Sequence, residues 1–372
     1  MKVLVAPDSF KGSLSAVRAA RAMQRGVRRA LGATRVDRCP LADGGEGTAE
    51  VLIDALGGEL RRVRVTGPLT DPVDAAWGWL PGSVAVVETA SAAGLPLVPE
   101  ASRNPLCTTT FGVGELVRCA LDEGARSILV GLGGSATTDG GSGAAQALGV
   151  TFEGGALPMT GAALQSLRRV DPATRDRRLE RASLTALCDV DAPLLGPAGA
   201  ARAYSPQKGA NTAEVEQLER GLAHLAQLVG PDVAVCDGDG AAGGMGFGWR
   251  ALLGASLVCG TEVVFERVGL RQRLSGCDLV LTGEGQLDAQ SVSGKVVGSV
   301  VREAQRAGVP VHAIVGSAGA GVQQVMAAGL GSYEELVHLA GSLEVAHRDA
   351  ERWIEVAASR AMRIGLGGPR TP

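Results

Sequence analysis

The chain has 372 residues, 45% of them hydrophobic, so it can bury a sizeable core, and its length favours two domains over one. A formal net charge of −3 with no long basic run leaves no basic footprint for nucleic acid, and an aromatic content of only 3% disfavours a base-stacking platform. The apolar N-terminus stops at Pro7-Asp8, too early for a signal peptide, and no apolar run reaches membrane-spanning length, so a cytoplasmic protein with no membrane partner is expected.

In chain order, residues 3–6 read as a short strand, and 15–31 as a helix in which Val17, Ala20, Met23, Val27 and Leu31 recur near the helical period, with Ser13 or Ser15 as N-cap. A second such unit runs from a strand over 37–41 to a helix over 48–56. The texture then changes. Residues 59–66, 74–80 and 83–89 alternate or run apolar between Gly-Pro, Asp-Pro and Pro-Gly turns, as antiparallel strands do. Next come a helix over 109–123, a strand over 127–130 and a short helix over 143–148. Beyond about residue 276 the simple rhythm returns: strand 279–281, helix 295–307, strand 309–315, helix 320–328, a strand near 336–339 and a long helix over 343–364, with a frayed tail. This pattern implies an α/β fold of two α/β domains. One is Rossmann- or flavodoxin-like and built from both chain ends (1–70 and 275–372); the other is inserted between them (71–274).

Glycine is 54 of 372 without collagen period or low-complexity run, so the glycines belong to turns and ligand loops. Seven scattered cysteines without close pairs argue against a zinc site or a disulfide framework. Two glycine-and-carboxylate segments stand out, Ala42-Asp43-Gly44-Gly45-Glu46-Gly47-Thr48 and Thr282-Gly283-Glu284-Gly285-Gln286-Leu287-Asp288. Each is expected in a loop after a strand, where glycines let the backbone approach a ligand and carboxylates suit a metal or a proton transfer. Asp8-Ser9-Phe10-Lys11-Gly12-Ser13 falls where a strand gives way to a helix. Free amides, the helix dipole and Lys11 favour an anion there, and a capped turn with a solvated lysine is the bland alternative.

The run from Gly131 to Gly143 contains Gly133, Gly134, Ser135, Thr137, Asp139 and Gly140 after an apolar strand, and suits a nest-like cradle for phosphates. Gly131-x-Gly133-x-x-Ala136 also partly fits a dinucleotide fingerprint, a weak signal without a prompt helix. In Cys188-Asp189-Val190-Asp191-Ala192-Pro193, two carboxylates in a loop at a strand end suit one ligand, one holding Mg²⁺ and one accepting a hydroxyl proton; a plain strand terminator is the alternative. Lys208, in Pro206-Gln207-Lys208-Gly209-Ala210, neutralises phosphate charge or is a surface lysine. The four histidines have no metal-ligand spacing.

Together these segments, with Gly240-Ala241-Ala242-Gly243-Gly244-Met245-Gly246 and Ser293-Gly294-Lys295, resemble the bacterial glycerate kinases of the first type, in order along nearly the whole chain. The resemblance implies phosphorylation of D-glycerate by ATP with Mg²⁺, with 2-phosphoglycerate favoured over 3-phosphoglycerate. On that footing Asp189 is assigned as general base with Asp43 next in line, Asp191 and Glu284 as metal contacts, Lys11 and Lys295 as phosphate or carboxylate partners, and the Gly133–Gly141 loop with Lys208 as the nucleotide-phosphate site. An NAD-dependent oxidoreductase acting on a small hydroxy acid, or a non-catalytic sugar-acid sensor, remains as an alternative. Oligomeric state is open.

Overall fold

The computed structural model describes residues 1–230, 236–292 and 295–363, and the chain divides into two compact α/β units. The terminal unit comprises Met1–Asp43, Glu50–Ala55 and the chain from Thr261 onward. Its five strands are β1 (Lys2–Val5), β2 (Arg35–Arg38), β3 (Leu279–Leu287), β4 (Val311–Ala318) and β5 (Ser332–Glu335). They form one sheet in the order β2-β1-β3-β4-β5, with every pairing parallel. Val3, Val5, Leu279, Leu281 and Ile314 are fully or almost fully buried, as strands covered by helices must be. The helix Ala16–Leu31 starts on Ser15, whose side chain accepts from the Arg18 amide, as one of the two expected caps. It packs on the helix Ala350–Arg363 at Gly26, where a Cβ would stand 2.3 Å from the Glu355 carbonyl oxygen.

The inserted unit comprises Gly44–Ala49 and Leu56–Gly260. Its six-stranded sheet runs, from one edge, through Ser256–Val258, Ser183–Leu187, Ser127–Gly131, Val84–Glu88, Pro72–Leu80 and Glu59–Thr66. The first four are mutually parallel and the last two join antiparallel. Trp77, Val87, Ile128, Val130, Ala186 and Trp249 contribute to its buried core. The strand Glu59–Thr66 was expected before the boundary at residue 70. It lies instead in the inserted unit, because it pairs along its whole length with Pro72–Leu80.

Three further expectations need correction. Residues 282–287 are strand, not loop, because β3 continues beside β4 with Gly283 opposite Ile314, Glu284 opposite Val315 and Gln286 opposite Ser317. Glycine permits this: a Cβ on Gly283 would stand 2.0 Å from the Ile314 carbonyl oxygen. Residues 336–340 form a short helix, and the strand is the polar Ser332–Glu335 just before it. The long C-terminal helix is two, Leu343–Arg348 and Ala350–Arg363, separated at Asp349. Ser293, Gly294 and the tail 365–372 lie outside the described residues.

Candidate active site

In the terminal unit, the C-terminal ends of β1, β3 and β4 open into a cavity of about 420 Å³. Its charged lining holds Asp8, Lys11, Asp43, Glu284, Asp288 and Lys295, which come from segments spread over nearly three hundred residues of chain. Four residues assigned from sequence, Lys11, Asp43, Glu284 and Lys295, therefore meet in one place. Asp8 is added to them, fixed by its amide donating to the Gly283 carbonyl at 2.8 Å and by its own Oδ1 accepting from the Ser9 amide at 2.6 Å.

Burial raises the Asp8 carboxyl to about 7, with Asp43 and Glu284 adding repulsion and the Ser9 amide and Lys11 opposing it. Burial likewise raises Glu284 to about 6, against the pull of Ser291 and Lys295. Glu284 is 6% exposed, and its Oε1 is buried without a hydrogen-bond partner. A buried, unpaired carboxylate oxygen beside further carboxylates is a costly arrangement that a cation relieves. Among the described residues no three His, Cys, Asp or Glu side chains converge as a complete metal cage. Mg²⁺ does not demand one, since it is ordinarily held by one or two carboxylates together with phosphate oxygens and water. Glu284 thus fits the metal role assigned from sequence. Lys295 stands 3.8 Å from Asp288.

The anion site expected from free amides at residues 8–13 takes a different form. The Phe10 amide donates to the Leu14 carbonyl at 2.8 Å, and the Ser13 and Leu14 amides donate back to the Phe10 carbonyl. The turn is closed on itself, which leaves the exposed Lys11 side chain as the anion-seeking group. At its flank Gly12 has φ +78°, and a Cβ there would stand 3.2 Å from His347 Nε2.

The second group of candidates belongs to the inserted unit. Gly131 pairs with Leu187 across two parallel strands, so the Gly133 loop and the Asp189 segment emerge side by side. Only Gly133 and Gly134 are exposed; Ser135 through Gly141 are buried. Asp139, 0% exposed, accepts from the Thr110 amide and hydroxyl and from the amides of Gly141 and Gly143. Its carboxylate is consumed in holding the loop, which corrects its assignment to nucleotide contact. Gly140 backs onto Leu225 and Leu222, and Gly141 onto Gly248 and Met245, so these two also serve packing.

Lys208 is no surface lysine. Only 3% exposed, its ammonium donates to Ser135 Oγ at 2.9 Å and to the Thr137 carbonyl at 2.6 Å. Burial lowers it to about 7, opposed by the Asp139 charge. Thr137 Oγ1 beside it is buried without a partner. On the other side, a Cβ on Gly243 would stand 2.0 Å from that same Thr137 carbonyl oxygen. Gly243 and its neighbours Ala242 and Gly244 take left-handed backbone, so the Gly240–Gly246 segment acts as a buttress for the loop.

Asp189 follows the strand Ser183–Leu187 and is half-buried, its Oδ1 accepting from the Gly260 amide at 2.6 Å. Asp191, two residues on, is exposed. The glycines of the first carboxylate segment approach backbone as well as any ligand: a Cβ on Gly44 would stand 2.7 Å from Gly260 Cα, and one on Gly131 would stand 2.2 Å from the Gly44 carbonyl oxygen. The helix after the Gly131 loop starts only at Ser142 and has six residues, so the dinucleotide fingerprint lacks the helix it requires.

The model of the glycerate kinase family matches residues 3–365. The chain belongs to the glycerate kinase family. Curated members align along almost the full length of both chains. The glycerate kinase of Halalkalibacterium halodurans is 44% identical over 96% of each chain, and the glycerate 2-kinase of Escherichia coli K12 is 42% identical over 94% of each. A crystal structure described as a putative glycerate kinase 2 from Salmonella typhimurium LT2 superposes with a TM-score of 0.82 at 38% identity, covering 98% of both chains. The two-domain α/β architecture is thus that of a glycerate kinase.

Sequence reasoning assigned no role to several lining residues. Gln286 and Ser317 lie on strand extensions read as loops, Leu336 on a helix read as strand, and His347 on a short helix read as part of a long one. Asp239, outside this cavity, is a structural carboxylate that the sequence reading also passed over. It is 0% exposed and takes two bonds from Arg250, at 2.8 and 2.7 Å. A carboxylate inside the glycine-rich run Asp237–Gly246 was the available signal.

Proposed function

We propose that this chain transfers the γ-phosphoryl group of ATP to a hydroxyl of D-glycerate, with 2-phosphoglycerate as product in preference to 3-phosphoglycerate. The observation that carries the reading is the cavity in which Glu284, with its unpartnered buried oxygen, faces the same space as Lys11 and Lys295. Phosphoryl transfer asks mainly for charge neutralisation and positioning, and these residue types supply both. The preference for the 2-hydroxyl rests on likeness to the relative named glycerate 2-kinase.

In this reading Glu284 helps to hold Mg²⁺, which when bound neutralises phosphate charge, and Asp191 is a further candidate ligand. Lys11 and Lys295 bind anionic oxygens. Asp189 accepts the proton of the attacking hydroxyl, held in orientation by the Gly260 amide, with Asp43 as the alternative base. Gly133 and Gly134, backed by Ser135, Lys208 and Thr137, offer an anion the accessible tip of the inserted unit's loop. The strand order of the terminal unit, 2-1-3-4-5, supports a flavodoxin-like domain, and the two compact units serve as the functional domains. Among the described residues no helix is long and apolar enough to cross a membrane, in keeping with a cytoplasmic enzyme. An enzyme-coupled assay of ADP release tests the proposal: ADP is expected only when D-glycerate and Mg²⁺ are both present. Release without glycerate, or none with any small hydroxy acid, overturns it.

A further inference from the structure

The lining of the terminal unit's cavity is mixed. Besides the charged floor it includes an apolar wall formed by Leu336, Leu343, Ala346 and Ala350, together with His347. Leu336, Ala346 and Ala350 are almost fully buried and back the cavity, whereas Leu343 is 62% exposed and is the apolar side chain that presents surface at a ligand-sized opening. At about 420 Å³ the cavity falls in the range of roughly 300–1,000 Å³ that encloses ligands of drug or cofactor size. A three-carbon hydroxy acid has too few atoms to fill it and no apolar face to set against the wall.

Its position agrees. With strands in the order β2-β1-β3-β4-β5, the chain reverses direction of winding between β1 and β3, and ligands of open parallel sheets settle outside the carboxyl ends of the strands at that point. Asp8 follows β1 and Glu284 lies on β3, so the charged floor sits at this reversal.

We propose that this cavity is the seat of the nucleoside triphosphate, with the purine and ribose against Leu343, which Leu336, Ala346 and Ala350 back, and the phosphates over Lys11 and Lys295. The proposal rests on the kinase reading and deepens it by placing the base and sugar. It also relocates the nucleotide from the Gly133 loop, whose interior is closed by packing. His347 borders the base, and Gly12, at φ +78°, lies against its imidazole, where a Cβ would stand 3.2 Å from Nε2.

Two measurements on the full chain test the seat. Photolabelling with 8-azido-ATP and Mg²⁺, followed by peptide mass spectrometry, is expected to place the adduct within residues 336–350. The variant Leu343→Glu puts a charge on the wall at an exposed helix start that tolerates an acidic residue, so the fold survives. It is expected to raise the KM for ATP roughly tenfold or more while the KM for D-glycerate stays within about twofold. An adduct in the inserted unit, or a variant that raises the glycerate KM and leaves that for ATP unchanged, overturns the seat and leaves the kinase reading standing. A parent chain that neither takes the label nor turns over ATP removes both.

Discussion

The Lys208 ammonium and the Ser135 hydroxyl stand 2.9 Å apart in a buried part of the inserted unit, and the same ammonium reaches the Thr137 carbonyl at 2.6 Å. One side chain thus pins the loop at two points. Lys208→Met keeps the bulk and leaves both oxygens unpaired, a cost of about 1–3 kcal/mol for each group. Release from burying an ammonium offsets part of this. A net loss of about 1–3 kcal/mol is expected in urea unfolding, together with a lower kcat. Unchanged stability would mean that packing by Gly243 alone holds the loop.

Asp189→Asn preserves shape and removes basicity. Because the Oδ1 contact with the Gly260 amide can be kept by the amide oxygen, the segment stays in place. Steady-state kinetics are expected to show kcat reduced roughly 10²- to 10⁴-fold, in the range of lost general-base catalysis, with a normal melting temperature. Near-normal turnover transfers the role to Asp43.

Glu284→Gln removes the charge beside Asp8 and Asp43 and retains volume. The Mg²⁺ concentration for half-maximal rate is expected to rise roughly 10- to 100-fold, the equivalent of one charged contact of about 1.5–3 kcal/mol. A Mg²⁺ dependence equal to that of the parent would exclude Glu284 as a metal contact.

His312 on β4 gives the pH prediction. Burial lowers the imidazole to about 4, with one nitrogen 2.7 Å from the Ser332 hydroxyl and Nε2 buried without a partner. The folded state therefore prefers the neutral ring, and between its unfolded value of 6.5 and about 4 the unfolded chain binds more protons. The contribution of this group is fully present above pH 6.5 and falls away toward pH 4, by about 3 kcal/mol in all. Comparing denaturant curves of parent and His312→Gln across this range should show a steeper acid loss in the parent. Parallel curves would mean that the ring takes up its proton in the fold as readily as in the unfolded chain.

Much of the molecule was legible in the sequence because its signals are local. The helix Ala16–Leu31 announces itself by period and cap, and Glu59–Thr66 by alternation between turns. The four residues Lys11, Asp43, Glu284 and Lys295 were visible as charges in glycine-rich segments, and they meet in one cavity. What was not legible depends on distant partners. Glu284 lies in a strand because β4 runs beside it, and Asp139 is spent internally because Thr110 reaches it from another element. A glycine that admits a ligand and one that admits a neighbouring backbone look alike in sequence; Gly44 against Gly260 is of the second kind. Ser332–Glu335 hid because three of its four residues are polar and Tyr333 is the only apolar contributor.

Phosphorus NMR of the protein incubated with ATP, Mg²⁺ and D-glycerate tests the central claim most directly, because it identifies the new bond rather than the loss of ATP. The account predicts stoichiometric conversion of the γ-phosphate to the monoester resonance of 2-phosphoglycerate, with ADP as the other product. Inorganic phosphate in place of a monoester, or unchanged ATP, would contradict it.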